Sequence, residues 1–309
     1  MRAIPLLGLM EPRSLRSVRG AGELLHEPPD VAWIQKRLTP GHIRIAHAVK
    51  ERGGLVVYDC DESGPDLDVW AEPALVREML RLAHVVTTDT PERGELLREV
   101  VPSCRTEVLE NQVDCADRLP ATGLPRARAD SGELRVLWFG YGENLGSLGA
   151  YVDVLYSLGG VRMVLCGPRR SDIRRVFGRL PVERHRWSRT GFVEVIRSCH
   201  VTLLSHFGSR YDAAKSAHKL VTSICHGVPA LVSATPDYGR VAALAGITGD
   251  AVFDSPEDLR VRLERMKIAE TRQRYLERAR PLLLARYGAG SFPAAAARLL
   301  HRAGRPQAN

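Results

Sequence analysis

Apolar and polar positions alternate along this chain in two rhythms. Short apolar runs, several rich in β-branched residues, are separated by longer segments whose apolar residues recur every three or four positions. In the first third the runs are Ile4–Met10, Val31–Gln35, Leu55–Tyr58, Val85–Thr88 and Thr106–Leu109. Between them the spacing predicts helices over 14–25, 41–52, 72–83 and 91–100. Strand–helix alternation of this kind builds a parallel sheet covered on both faces. Residues 115–133 carry Pro, Gly, Ala and charge without periodicity and read as a linker. A second series follows. Its strands are Leu134–Phe139, Met163–Cys166, Val201–Ser205, the run from Val228 and Val252–Phe253. Its helices are 145–158, 192–198, one beginning at Lys215, 256–266 and a long tail over 270–303. The pattern predicts an α/β protein of two Rossmann-like domains. These are an N-terminal domain over 1–114 and a C-terminal domain over 134–285. A closing helix over 286–309 is placed to cross back to the first domain.

The stretch Lys215–Ser233, KSAHKLVTSICHGVPALVS, concentrates the chemistry. Leu220, Val221, Ile224 and Cys225 fall at helical spacing, Gly227 supplies a helix stop, and VPALVSA reads as a central strand. Lys215 and Lys219 stand four apart, on one face of the first turns. A helix start offers free N–H groups and partial positive charge, so two ammonium groups beside it suit a diphosphate. The chain holds 44 Lys plus Arg, yet its only lysines are Lys36, Lys50, Lys215, Lys219 and Lys267.

Composition adds less. The 309 residues suffice for two ordinary domains, and 44% hydrophobic with 26% charged residues reads as globular. A net charge of +8 makes a polyanionic partner plausible. The six cysteines are scattered without a CxxC pair, which points to neither a zinc site nor a disulfide framework. Ile4–Met10 is too short to span a membrane and lacks a signal-cleavage pattern, so a soluble cytoplasmic protein is expected.

The KSxxKL start at Lys215, Ser216, Lys219 and Leu220, followed by Gly227, Pro229 and Val232, resembles the donor-binding segment of GT-B glycosyltransferases of the family-4 type. His218 stands where Asn is common. Thr222 stands where a Glu usually takes the nucleotide ribose, and Ala214 and Thr222 occupy the register of the two Glu of retaining members. Asp59-Cys60-Asp61, the Val86–Thr90 and Glu110–Asp114 segments, Phe139–Leu148 and Trp187 are also similar to that family. The resemblance implies two Rossmann-like domains facing each other across a cleft. It implies a UDP- or GDP-linked sugar as co-substrate, no other cofactor, and metal-independent transfer to an acceptor hydroxyl.

Ligands of open parallel sheets bind at the carboxyl ends of strands, which selects the candidates. Donor-binding candidates are Gly140, Tyr141, Gly142, Asn144, Arg169, His206, Lys215, Ser216, Lys219 and Thr222. Asp61, then Asp59, are candidates for the base that deprotonates the acceptor, and His218 for donation to the leaving phosphate. Three acceptor classes stay open: a hydroxymethylated pyrimidine such as 5-hydroxymethylcytosine in DNA, as in phage-type enzymes; a lipid-linked or cell-envelope glycan; and a small molecule. Basicity favours the first, with Arg13, Arg16, Lys36 and Arg37 as acceptor-side contacts. A non-catalytic module holding nucleotide or nucleic acid is the alternative from another class. A dinucleotide dehydrogenase is excluded, because no GxGxxG follows the first strand.

Overall fold

The computed structural model describes residues 25, 28–36, 38–60, 73–119 and 132–303. It divides into two compact units: the described residues up to Asn111 with those from Gly290 onward, and Gln112–Ala289. The predicted strand Ile4–Met10 and nearly all of the helix over 14–25 lie outside the described residues, as do Arg13, Arg16, Arg37 and Asp61.

The first unit holds a four-stranded parallel sheet, β1 (Val31–Gln35), β2 (Leu55–Asp59), β3 (Val85–Thr88) and β4 (Thr106–Val108), in that spatial order. Helices α1 (Pro40–Glu51), α2 (Pro73–Leu82) and α3 (Pro91–Val100) connect them. Successive strand residues point to opposite faces. Ala32, Ile34, Val56, Tyr58 and Val86 therefore meet Ile43, Ala46, Met79 and Leu97 of the connecting helices. The alternate residues Val57 and Val85 meet Leu299, and Leu109 meets Phe292 and Ala296. These last partners belong to the closing helix Ser291–Ala303, which covers the second face.

The second unit holds β5 (Leu134–Phe139), β6 (Val161–Cys166), β7 (Val182–His185), β8 (Val201–Leu204), β9 (Ala230–Ser233) and β10 (Val252–Phe253). All are parallel, in the order β10-β9-β8-β5-β6-β7. The order reverses beside β5, so β5 and β8 flank the switch point where an open α/β sheet leaves a crevice. In chain order the helices are α4 (Val152–Ser157), α5 (Arg170–Phe177), α6 (Arg189–Arg197), α7 (Arg210–Ala213), α8 (His218–Cys225), α9 (Pro236–Leu244), α10 (Thr248–Ala251), α11 (Pro256–Met266) and α12 (Ala269–Tyr287).

Several expectations are corrected here. The helix expected over 145–158 is a 3₁₀ helix from Gly142 to Tyr151 followed by α4. Gly142, Gly146 and Gly149 make that segment a poor α-helix. The tail over 270–303 is two helices, broken at Gly288–Gly290, where Gly290 takes φ +86°. The linker expected over 115–133 contributes a 3₁₀ turn, Ala116–Arg118, to the second unit; its residues 120–131 lie outside the described ones. Most consequential, the helix expected to start at Lys215 starts at His218. Lys215 and Ser216 belong to the loop between α7 and α8.

Candidate functional site

The site is assembled from the loops that leave β5, β6 and β8. After β5 the chain turns at Gly140, Tyr141 and Gly142. Gly140 has φ +150°, and its amide donates to the Cys166 carbonyl, 3.1 Å away at the end of β6. Gly167, at φ +112°, lies so close that a Cβ there would overlap the Gly140 carbonyl oxygen. A Cβ on Gly142 would overlap the Asp172 carboxylate, which also accepts from the Arg169 amide (2.9 Å) to cap α5. Three glycines thus let two strand ends touch, where L side chains would hold them apart.

Lys219, on the first turn of α8, reaches into this turn. A Cβ on Gly140 would lie 2.5 Å from its Nζ. The ammonium rests 5.5 Å from the Trp138 ring centroid and 5.7 Å from that of Phe139, within cation–π range. Among the described residues no carboxylate or carbonyl hydrogen-bonds this ammonium. Burial, assisted by the charge of Lys215 and opposed by Asp114, lowers its pKa to about 8. The first intrahelical bond of α8 runs from the Val221 amide to the Ala217 carbonyl (3.1 Å), so the amides of His218, Lys219 and Leu220 precede it. One further amide at this helix start, Ala217, is taken by Asp237 Oδ2 at 2.6 Å.

Lys215 is differently placed. Its Nζ donates to Asp212 Oδ1 (2.6 Å) and to Asn144 Oδ1 (3.0 Å). Asp212 in turn caps α7 through Ser209 and stands 3.6 Å from His206 Nδ1. His206 stacks on Tyr238, and its amide donates to Ser233 Oγ. Burial and then Lys215, against the pull of Asp212, push its pKa down to about 4, so this imidazole is neutral at neutral pH. The chain His206–Asp212–Lys215–Asn144 ties the loop after β8 to the loop after β5. The sequence put the two lysines on one helical face as equals. The structure makes Lys215 a brace with a neutralised charge and leaves Lys219 as the free one.

Two further candidates, Thr222 and His218, are bound up elsewhere, together with His226. Thr222 is fully buried, and its hydroxyl accepts from the Asp114 amide at 3.3 Å, so it presents nothing to a ribose. His218 Nε2 lies 3.1 Å from the Gln112 carbonyl oxygen and 3.6 Å from Asp114 Oδ1. His226 Nε2 lies 2.8 Å from the Asp114 carbonyl oxygen. His218, Thr222 and His226 thus form a ladder at four-residue spacing that fastens Gln112–Asp114, where the chain enters this unit. That repeat of hydrogen-bonding side chains at four-residue spacing is the signal the sequence carries. Replacing Thr222 by Val should remove the partner of the part-buried Asp114 N–H and cost about 1 kcal/mol. The expected result is a lower Tm with unchanged nucleotide affinity; weaker nucleotide binding at unchanged Tm would return Thr222 to the site.

In the first unit Asp59 is fully buried, with its carboxylate accepting from Gln35 Nε2 (2.8 Å) and Thr87 Oγ1 (2.7 Å). It braces the ends of three strands and is not exposed to an acceptor hydroxyl. Lys36 follows β1 with φ +61°, its carbonyl accepting from the Tyr58 hydroxyl. On the carboxyl rim of the second sheet, Tyr141 and Trp187 are 73% and 61% exposed, and Arg169 is exposed. Ser216 is half-buried. Among the described residues, no group of three or more His, Cys, Asp and Glu side chains is arranged to hold a metal ion.

No protein-family model matches the chain, and no curated protein matches it in sequence. Solved structures do. Anabaena HepE in complex with UDP is 12% identical with a TM-score of 0.68, over 91% of this chain and 82% of its own. Sucrose-phosphate synthase from Thermosynechococcus elongatus is 12% identical at TM-score 0.64, over 91% of this chain and 75% of its own. The UDP-forming α,α-trehalose-phosphate synthase from Burkholderia vietnamiensis is 14% identical at TM-score 0.61, over 92% and 74%. The chain has the α/β fold, with parallel sheets, of the GT-B glycosyltransferases.

Proposed function

We propose that the protein is a glycosyltransferase that takes its sugar from a UDP- or GDP-linked donor held by the second unit. One observation carries this reading. The ammonium of Lys219 sits unpaired against the Gly140 turn, at the switch point of the sheet and beside the open amides of α8. Lys219 is half-buried, and a partly desolvated charge without a partner is costly, so the arrangement calls for an anion. A diphosphate would take Lys219, the α8 amides and the backbone of the Gly140–Gly142 turn together. In transfer, negative charge grows on the leaving diphosphate, and the same groups would stabilise it without a metal ion. UDP is the preferred nucleotide, since similarly folded structures were solved with UDP and UDP-glucose.

The acceptor side rests on charge. With a net charge of +8, the favoured acceptor is a hydroxymethylated pyrimidine in DNA, contacted through Arg13, Arg16, Lys36 and Arg37. A lipid-linked or envelope glycan is the competing acceptor; no helix among the described residues is long and apolar enough to cross a membrane. Asp61 is the proposed base. Asp61→Asn should keep UDP binding and lose transfer; normal turnover in that variant would remove Asp61 from the role.

The functional test is release of nucleotide from UDP- and GDP-sugars with plain DNA, hydroxymethylcytosine-containing DNA, envelope glycans or no acceptor. Release with modified DNA alone supports the whole proposal. Release with glycans alone keeps the enzyme and replaces the acceptor. Tight nucleotide binding without release under any condition would favour a non-catalytic module.

A further inference from the structure

The edge of the second unit formed by α5 and β7 carries charge well beyond the one donor-side candidate, Arg169. From Arg169 to Arg189 the chain places eight arginines against two acids, Asp172 and Glu183. Both acids are committed inside the unit. Asp172 caps α5, and Glu183 holds Arg135 in a two-pronged pair (2.8 and 2.9 Å) while contacting His185. Arg184 donates to the Pro168 carbonyl, and Arg189 pairs with Asp117. The other six arginines, Arg169, Arg170, Arg174, Arg175, Arg179 and Arg186, are exposed and have no ion pair among the described residues.

Their placement is ordered. Ile173 and Phe177 turn one face of α5 into the core, leaving Arg170, Arg174 and Arg175 on the open side, with Arg179 just past the Gly178 stop. Arg170 and Arg174 are one turn apart, about 6 Å along the axis. At the carboxyl rim, Arg169 and Arg170 follow β6, and Arg186 and the 61%-exposed Trp187 follow β7. Six exposed guanidinium groups without ion pairs, on α5 and the adjoining strand ends, want several phosphates, because one phosphate satisfies one or two of them. The two exposed apolar side chains, Leu180 and Trp187, flank opposite ends of the edge strand, about 20 Å apart at 3.3 Å per residue. They form no continuous apolar patch for a bilayer to receive. A lone exposed indole beside arginines does fit an unpaired base stacking next to its phosphates.

We infer that the α5–β7 edge is a docking surface for a single strand of nucleic acid, with the arginines on its phosphates and Trp187 under one base. The surface adjoins the donor site at Arg169, a donor-side candidate, but the arginines from Arg170 to Arg179 are not among the donor residues, so a test on those four lets the two readings fail separately.

The experiment measures anisotropy of a fluorescein-labelled single-stranded DNA across a salt series, with UDP titrated in parallel. The variant changes Arg170, Arg174, Arg175 and Arg179 together to Gln. Each lost phosphate contact on a single strand reduces the slope of log K against log salt by about 0.7, so a fall of about 3 is expected. Affinity at fixed salt should fall more than ten-fold while UDP binding persists. Trp187→Ala should weaken the strand about ten-fold and leave the salt slope in place. The inference is overturned if the wild-type protein does not bind the strand, or if the four-arginine variant binds it equally. It is also overturned if the arginines mediate pelleting with phosphatidylglycerol vesicles and no strand binds.

Discussion

Replacing Lys219 by Met is expected to weaken UDP binding by about 1.5–3 kcal/mol, the range for a lost charge-assisted hydrogen bond, or about 10–150-fold. The ammonium faces Gly140 without a hydrogen-bonding partner among the described residues, so removing it leaves no stranded acceptor behind. The variant should therefore fold with an unchanged or higher Tm. The wild-type affinity should also depend on pH. In the free protein burial holds the Lys219 pKa at about 8, and a bound diphosphate raises it. Below pH 8 the ammonium is already in place. Above pH 8 each binding event must take up a proton, so affinity should fall towards ten-fold per pH unit until the bound pKa is reached. Lys219→Met should abolish that slope. Unchanged affinity in the variant, or a slope that survives the substitution, would remove Lys219 from the site. Lys215→Ala should behave otherwise: it strands the buried Asp212 carboxylate, so its main cost should fall on stability.

Gly167→Ala should produce the largest loss of stability at the site. The backbone stands at φ +112°, and the new Cβ would overlap a carbonyl oxygen of the Gly140 turn, which is backbone and cannot rotate aside. Conformational strain of this kind costs about 1–3 kcal/mol, and forced overlap adds about 1–3 more. A total near 3 kcal/mol corresponds to a Tm fall of about 6–12 °C for a unit of this size. Relief of the overlap must displace Gly140, so UDP affinity should fall as well. An alanine variant with native Tm and native affinity would contradict the packing described here.

The sequence made the alternating α/β pattern legible because parallel strands buried on both faces are written as apolar runs. β5, β6, β8 and β9 all lie in such runs, and every residue of β8 and β9 is buried. β7, VERH, was not legible: as an edge strand it has no buried residue and no apolar run. α5 was missed because only Ile173 and Phe177 mark its inner face among arginines. α9 is marked in the sequence by Thr235, which caps it, and Pro236 in its first turn. At the candidate site, position along the chain is enough to bring the glycine turn and Lys219 forward as candidates. The pairing that neutralises Lys215 is not legible in this way, because Asp212 and Asn144 lie on different elements and meet only in the folded chain. Thr222 and His218 matched a familiar segment in one dimension, yet their side chains are spent on Gln112 and Asp114.

The central claim is that the switch point of the second sheet holds a nucleoside diphosphate through its phosphates. Calorimetric titration of the wild-type protein with UDP, UMP and uridine tests it most directly. Saturable UDP binding at pH 7, with UMP and uridine much weaker, is the result expected if Lys219, the α8 amides and the glycine turn grip the diphosphate. Equal affinity for UDP and uridine, or no UDP binding at all, would contradict it.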